Sequence, residues 1–166
     1  MQKVIIIGCP GGGKSTFARA LHETSGLPLF HLDMMYWNPD RTKVPREIFQ
    51  ERLENALGQE CWIIDGNYNR TMEMRMQACD TVFFLDYPVE VCLEGARNRK
   101  GTKRTDLPWV EGKDEEVEAE FLEFIRSFRE ESRPHILELL EKNADKRIHV
   151  FRSREEANRL LERLHM

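Results

Sequence analysis

The sequence predicts an α/β protein in which helices cover both faces of a parallel sheet. Apolar runs short enough to be strands recur five times, and helical patterns fill most of the intervals between them. The runs are 3–7, 28–31, 61–65, 81–86 and 147–151. Strands that alternate with helices pair in parallel, because each crossover helix returns the chain to the same end of the sheet. At 166 residues and 40% hydrophobic composition, we expect one domain over 1–166.

The segment that follows the first predicted strand, residues 8–15, matches the phosphate-cradling pattern G-x-x-x-x-G-K-[ST] in full. Its glycines let backbone N–H groups curl around phosphates, Lys14 adds a mobile positive charge, and the Ser15 hydroxyl is a ligand for Mg²⁺. The positive end of the next helix faces the same phosphates. The alternative is a glycine-rich turn without a ligand. We expect ATP to contact Gly8, Pro10, Gly11, Gly12, Gly13, Lys14, Ser15 and Thr16.

Local signals predict where three helices begin and end. The helix after the phosphate loop ends near Ser25-Gly26, since glycine suits the position after a helix C-terminus. Pro45 suits a first helical turn, and Gly58 ends the apolar pattern that follows it. Ser153 and Glu156 form a capping box before the last helix. The apolar stripes of the second and third of these helices are Ile48, Phe49, Leu53, Ala56, Leu57 and Ala157, Leu160, Leu161, Leu164.

A basic block follows the fourth predicted strand and gives way to an acidic one. We interpret the segment at about 97–114 as a short helical lid over a bound triphosphate, because such a cover belongs on this side of the sheet. The alternative is a solvated charged loop, which is a common outcome for such runs. The basic residues are Arg97, Arg99, Lys100, Lys103 and Arg104.

The pattern after the lid predicts a long helix that breaks or bends near Arg133-Pro134. Arg126, Arg129 and Arg133 form a stripe beside its apolar face, apart from the glutamates of the same helix. They are candidates for binding an anion, or else surface arginines with distant ion-pair partners. The predicted buried face is Val117, Phe121, Phe124, Ile125 and Phe128, and the glutamates are Glu116, Glu120, Glu123 and Glu130.

Composition argues against several classes of protein. A formal net charge of −4 gives no electrostatic case for direct nucleic-acid binding. No apolar run approaches the length of a membrane span, and the chain enters its first strand without a signal sequence, so we expect a cytoplasmic protein. The four cysteines lack metal-site spacing. Cys9 either has a lowered pKa near the helix N-terminus, which would make it oxidisable, or simply fits the loop as a small residue.

Two carboxylates follow predicted strands at the edge where open α/β sheets bind ligands. Asp65 ends the third strand, where an acid holds Mg²⁺ through water, or forms a turn before Gly66. Asp33 follows the second strand and is placed to order Mg²⁺-bound water or to take a proton from an attacking hydroxyl. Arginines after the third and fourth strands suit phosphoryl transfer, which needs charge stabilisation on the moving group. They include Arg70, Arg99 and Arg104.

The order of these motifs resembles the adenylate-kinase-like P-loop kinases over nearly the whole chain. The residues that carry the resemblance are the loop at 8–15, Leu27-Pro28 leading to Asp33, Asp65-Gly66 with Arg70-Thr71, and Leu85-Asp86-Tyr87-Pro88 before an arginine-bearing helix. The chain looks more closely similar to the bacterial group labelled DNA topology modulation proteins. That similarity is carried by His31-Leu32-Asp33 with Tyr36-Trp37, by 62–68, and by Phe128-Arg129 through Arg133-Pro134.

The resemblance implies a P-loop NTPase fold of three α/β/α layers with five parallel strands, and an acceptor region at about 32–60. It implies that Lys14 and Ser15 hold ATP and Mg²⁺, and that Arg70 meets the acceptor. Arg99, Arg104 and one of Arg126 or Arg129 would cover the transferred group. Where adenylate kinases have a base-stacking arginine, this chain has Gly95. The acceptor region is also unusually bulky and aromatic at 34–39, which suits stacking a base or packing.

The function that this combination favours is Mg²⁺-dependent transfer of the ATP γ-phosphate to a small acceptor, such as a nucleotide, a nucleoside or another hydroxyl metabolite. The alternative is a nucleotide-responsive regulatory protein, associated with DNA topology, that has little or no turnover. The acceptor-side aspartate and the arginine-rich segment favour the enzyme, since a nucleotide switch needs neither of them.

Overall fold

Five parallel strands form one sheet in the order β2-β3-β1-β4-β5. The computed structural model describes residues 1–98 and 115–165. The strands are β1 Lys3–Gly8, β2 Leu29–His31, β3 Trp62–Asp65, β4 Thr81–Leu85 and β5 Arg147–Phe151. The helices are α1 Lys14–Ser25, α2 Leu32–Tyr36, α3 Arg46–Leu57, α4 Asn69–Ala78, α5 Val89–Asn98, α6 Glu115–Ser127, α7 Arg133–Lys142 and α8 Arg154–His165. The predicted α/β class with a five-stranded parallel sheet is confirmed.

The central strand, β1, explains why the first apolar run has no polar alternation. It pairs with β3 on one side and β4 on the other, with Ile5 opposite both Ile64 and Val82. Residues 4–7 of this strand are completely buried. A parallel strand covered on both faces has no solvent side, so every position takes an apolar residue. Because β3 and β4 flank β1, the chain reverses its direction of winding there, which places a ligand crevice at the carboxyl end of β1.

The predicted ends of three helices agree with the structure. Gly26 ends α1 in the left-handed region, with φ 76°, and its N–H donates to the carbonyl of His22. Pro45 precedes α3 and Gly58 follows it. At α8 the capping box is only partly formed, since Glu156 N donates to Ser153 Oγ at 3.2 Å while the Glu156 carboxylate accepts from the N–H of Arg152.

The regular α-helix is interrupted just before the predicted position at Arg133-Pro134. Five residues, Phe128–Ser132, form a wider π-helical turn between α6 and α7. The N–H of Arg133 donates to the carbonyl of Phe128 across this turn, and Pro134, which has no N–H to donate, lies in the first turn of α7. The predicted buried face is wrong at Phe124, which is 58% exposed, because burial is centred on Ile125 and Phe128.

Among the described residues, no helix combines the length and apolar character that a membrane crossing requires.

A histidine stacked beside the core predicts how the stability of the fold depends on pH. His149 on β5 stacks on Phe83 with ring centroids 5.1 Å apart. Burial, followed by the charges of Arg163 and Arg147, lowers the pKa of His149 below its ordinary 6.5. The unfolded chain therefore binds this proton first, so the stability that neutral His149 contributes is present above pH 6.5 and is lost as the pH falls below it.

We expect acidification through this range to lower the urea midpoint of the native protein more than that of a His149→Gln variant. The measurement is a pair of urea titrations on each protein, one on either side of pH 6.5. An equal decrease of the urea midpoint in the two proteins would contradict the assignment of this pH dependence to His149.

Candidate nucleotide and acceptor site

The phosphate loop connects the carboxyl end of β1 to the start of α1. Gly11 and Gly13 have φ values of 79° and 91°, in the left-handed region that glycine tolerates. The N–H of Gly12 donates to the carbonyl of Cys9 at 3.0 Å, which tightens the turn. This shape brings the backbone of the loop to the N-terminus of a twelve-residue helix, where N–H groups have no partner within the helix. The loop has the chemistry to bind an anion.

The Lys14 ammonium lies against the same loop. Its Nζ is 3.1 Å from the carbonyl oxygen of Gly8 and 3.3 Å from that of Cys9. Ser15, in the first turn of α1, is half-buried, while Thr16 is exposed and accepts a hydrogen bond from Arg19 at 3.4 Å. The structure thus brings the predicted nucleotide-binding residues together around one loop and one helix end.

Asn67, which the predicted site does not include, clamps the first glycine of the loop. Its Oδ1 accepts from the N–H of Gly8 at 3.0 Å, and its Nδ2 donates to the Gly8 carbonyl at 2.7 Å. The backbone N–H and the carbonyl of Gly8 are therefore both hydrogen-bonded to the Asn67 side chain. Asn67 follows β3, so the clamp ties the phosphate loop to the neighbouring strand's carboxyl end.

Asp33 lies in the first turn of α2 and is held by Tyr68, whose hydroxyl donates to Asp33 Oδ1. Tyr68 has φ 38°, a left-handed conformation that is strained for an aromatic residue. Its ring packs against Tyr36 at 4.9 Å and Phe49 at 5.5 Å between centroids. The aromatic residues of the acceptor region therefore pack against one another, and they support the position of Asp33.

Asp65 and His31 form a pair at the ends of neighbouring strands. The two residues are register partners, and His31 Nδ1 lies 2.9 Å from each carboxylate oxygen of Asp65. Asp65 is only 4% exposed. The predicted metal-binding carboxylate is thus buried and already hydrogen-bonded, which is compatible with contact to a metal through water rather than directly.

The predicted arginines lie in several environments. Arg70 is exposed in the first turn of α4, and Arg129 is exposed in the π-helical turn. Arg126 is exposed and lies 3.7 Å from Glu123, so the predicted separation of arginines from glutamates is wrong for this pair. Both groups are solvated, and such a pair contributes little to stability. Arg99 and Arg104, with 99–114 of the predicted lid, lie outside the described residues.

Arg133 has an acidic partner that the sequence analysis did not identify. Its Nε and Nη2 donate to the two oxygens of Asp86 at 2.8 and 2.9 Å, which raises the Arg133 pKa above its ordinary value. Arg152 Nη1 donates to Asp86 Oδ2 at 2.8 Å. Asp86 follows β4 beside the phosphate loop, so one buried carboxylate holds two arginines at the carboxyl edge of the sheet.

Gly95 on α5 packs directly against the phosphate loop. A Cβ at this position would lie 2.1 Å from the carbonyl oxygen of Gly11 and 2.8 Å from Arg154 Nη2. Arg154, at the start of α8, donates to the carbonyls of Gly12 at 3.1 Å and Gly11 at 3.3 Å, and its guanidinium lies 5.6 Å from the Tyr87 ring centroid. Glycine at 95 is thus required by close packing.

A cavity of about 370 Å³ opens beside this contact. It lies next to the phosphate loop, between α1, α5 and α8, and has both polar and apolar walls. Its lining includes Thr16, Phe17, Tyr87, Arg154, Asn158 and Leu161. Its location allows a ligand to contact the loop and these helices at once.

The two cysteines nearest the loop are free and buried. A hydrogen bond with the Cys92 side chain, followed by burial, raises the pKa of Cys9 above its ordinary value. The same hydrogen bond lowers the pKa of Cys92. Of the two alternatives for Cys9, the structure therefore favours the small residue that fits the loop, because the neighbouring Cys92 thiol and burial raise its pKa.

Comparison with known proteins supports the fold. No protein family model and no curated protein matches the sequence. Among solved structures, the chain is similar to a crystal structure of shikimate kinase from Bacteroides thetaiotaomicron, with a TM-score of 0.55 and 18% sequence identity. The match covers 97% of this chain and 94% of that one. The protein therefore has the P-loop kinase-like fold of shikimate kinase, with sheet order 2-3-1-4-5.

Proposed function

We propose that this protein is a Mg²⁺-dependent kinase that transfers the γ-phosphate of ATP to a hydroxyl of a small acceptor. The observation that carries the proposal is the position of two adjacent residues after β3. Asn67 holds Gly8 of the phosphate loop, and Tyr68 holds Asp33. Because β3 separates β1 from β2, the loop and Asp33 lie about two strand spacings apart, roughly 10 Å. That span accommodates a phosphoryl group and a hydroxyl acceptor.

The residues of the loop fit a triphosphate with Mg²⁺. Backbone N–H groups of the loop and the Lys14 ammonium bind the phosphate oxygens, and the Ser15 hydroxyl is the protein ligand suited to the metal. Asp65, whose carboxylate is hydrogen-bonded to His31, would hold the Mg²⁺ ion through a water molecule. When bound, Mg²⁺ neutralises charge on the β- and γ-phosphates.

Asp33 acts on the acceptor side. Its carboxylate orients the attacking hydroxyl and receives its proton as the oxygen–phosphorus bond forms and the bond from the γ-phosphorus to ADP breaks. Tyr68 keeps Asp33 in place through its hydroxyl.

Arginines supply charge stabilisation for the transferred group. In this proposal Arg70 binds the acceptor, and the charge stabilisation on the transferred group comes from Arg99, Arg104 and one of Arg126 or Arg129. Of these arginines, the three in the described residues, Arg70, Arg126 and Arg129, are exposed to solvent and so are accessible to a bound ligand.

The cavity beside Gly95 and Arg154 is the site that we propose for the nucleoside part of ATP. It adjoins the loop and has room for a base and ribose. The fold of a small-molecule kinase supports a small acceptor as well. The resemblance to the DNA topology modulation group leaves the acceptor open, and the regulatory alternative is an outcome of the following experiment.

The test is a transfer screen with γ-labelled ATP and Mg²⁺ across nucleoside monophosphates, nucleosides and small hydroxyl metabolites. We expect label on one acceptor class, and a loss of about a hundredfold or more in Asp33→Asn and Lys14→Ala variants. Weaker ATP binding is expected for Lys14→Ala alone. The exposed Asp145 and Lys142 provide the control variants Asp145→Asn and Lys142→Ala, which should retain transfer.

Transfer that survives in Asp33→Asn would contradict the role of that residue. Label that leaves ATP only as inorganic phosphate, or binding of ATP without turnover, would favour the nucleotide-responsive regulatory protein.

A further inference from the structure

Arg75 on α4 is a completely buried cation that contacts neither half of the proposed site. Its guanidinium donates to the backbone carbonyls of three consecutive residues: Gly66 at 3.0 Å, Asn67, and Tyr68 at 3.3 Å. Its Nε donates to Thr71 Oγ1 at 3.2 Å. One side chain thus binds the whole segment at 66–68, which we name the β3 exit segment.

Burying this charge is unfavourable by itself. Desolvation lowers the pKa of Arg75 to about 9, although the nearby Asp65 carboxylate acts in the opposite direction. An apolar side chain of similar volume would fill the same space without desolvating an ion. What arginine adds is a planar set of donors directed at several acceptors at once. The distinctive consequence of Arg75 is therefore the orientation of the three peptide groups that it binds.

The β3 exit segment has a conformation that needs such support. Tyr68 has φ 38°, and a side chain in that region is strained. The side chains of the segment diverge to two partners, since Asn67 reaches Gly8 and Tyr68 reaches Asp33. If the peptide groups rotated, neither side chain would keep its partner.

We propose that Arg75 is a positioning residue that sets the phosphate loop and Asp33 in register with each other through the β3 exit segment. The inference rests on the proposed function, because that function makes the loop and Asp33 two halves of one site. Asn67 fixes the phosphate loop on the triphosphate side, and Tyr68 fixes Asp33 on the acceptor side. Arg75 acts only through these two residues.

The test compares Arg75→Met with Asn67→Ala and Tyr68→Phe, and uses Arg159→Met on the exposed face of α8 as the matched control. The readouts are amide hydrogen exchange across the chain and calorimetric titration with Mg²⁺-ATP. Neither readout needs an acceptor. If the transfer screen fails, the proposed function is lost while the exchange data still decide the role of Arg75.

For Arg75→Met we expect faster exchange at both 8–13 and 32–36, with β5 still protected, and Mg²⁺-ATP affinity lowered about tenfold. Asn67→Ala should reproduce the change at 8–13 and the lower affinity. Tyr68→Phe should reproduce only the change at 32–36. Arg159→Met should match the native protein in both measurements.

Uniformly faster exchange in Arg75→Met, including β5, would mean that Arg75 is merely structural and would overturn the proposal. If Arg75→Met does not fold, the other two variants decide. Faster exchange at 8–13 in Asn67→Ala and at 32–36 in Tyr68→Phe supports the two connections through the β3 exit segment. The absence of either change overturns the proposal.

Discussion

A Gly95→Ala substitution is expected to weaken triphosphate binding about a hundredfold while the sheet stays folded. The added Cβ would lie 2.1 Å from the carbonyl oxygen of Gly11, which belongs to the backbone and has no side-chain freedom to move away. It would also lie 2.8 Å from Arg154 Nη2, which donates to the same carbonyl. Either α5 or the phosphate loop must shift, which displaces the backbone N–H groups proposed to bind the phosphates, and each charge-assisted hydrogen bond lost costs about 1.5–3 kcal/mol.

The measurement is calorimetric titration of Gly95→Ala with Mg²⁺-ATP, beside thermal unfolding of the same sample. We expect the dissociation constant to rise by about a hundredfold, which corresponds to the loss of one or two such hydrogen bonds. Glu94→Ala on the exposed side of the same helix is the control, and it should bind as the native protein does. Binding of Mg²⁺-ATP to Gly95→Ala within twofold of the native value would show that the loop tolerates the contact.

The second large effect is expected from Asp86→Ala, which removes the shared partner of two arginines. The Asp86 side chain is 3% exposed, and it accepts two hydrogen bonds from Arg133, whose side chain is 25% exposed. Its loss leaves the half-buried Arg133 guanidinium without its anion, at a cost of about 2–3 kcal/mol. In a chain of this size the melting temperature should fall by roughly 5–10 °C.

Two control variants measure the contributions of Arg133 and Arg152 separately. Arg152 is 62% exposed, so its ion pair with Asp86 is screened by water, and Arg152→Met should cost at most about 1 kcal/mol. Arg133→Met should approach the effect of Asp86→Ala. Thermal unfolding of all three variants provides the comparison, and a larger loss from Arg152→Met than from Arg133→Met would reverse the assignment.

The features predicted best from sequence are those that a short window of residues determines. The apolar runs became strands: β1, β3 and β4 are buried on both faces, and β2 and β5 are the partly buried edge strands. The glycine pattern before Lys14 dictates a loop, and Gly26 and Pro45 mark helix ends by their own backbone preferences. The interruption of the long helix before Pro134 was predicted from the missing N–H of proline, although its form, a π-helical turn, was not.

Within the proposed site, the sequence predicted the phosphate loop and placed Asp33 and Asp65 after strands. It did not predict which residues connect the loop to these carboxylates. Asn67 lies in the 62–68 pattern, but neither it nor Arg75 was assigned a role, because their roles depend on which strand lies beside β1. For Cys9 the sequence left a low-pKa thiol and a small loop residue as alternatives, and the choice depended on Cys92, which is distant in sequence.

The sequence by itself therefore determined the fold class, the strand and helix content and the phosphate loop, because those depend on local periodicity and backbone preference. Only the tertiary structure decided how the site is held together. The contacts of Asn67 with Gly8, Tyr68 with Asp33, Arg133 with Asp86 and Arg154 with Gly11 join residues 35 to 143 positions apart. Strand order and register bring such residues within hydrogen-bonding distance, and those are set by packing of the whole chain.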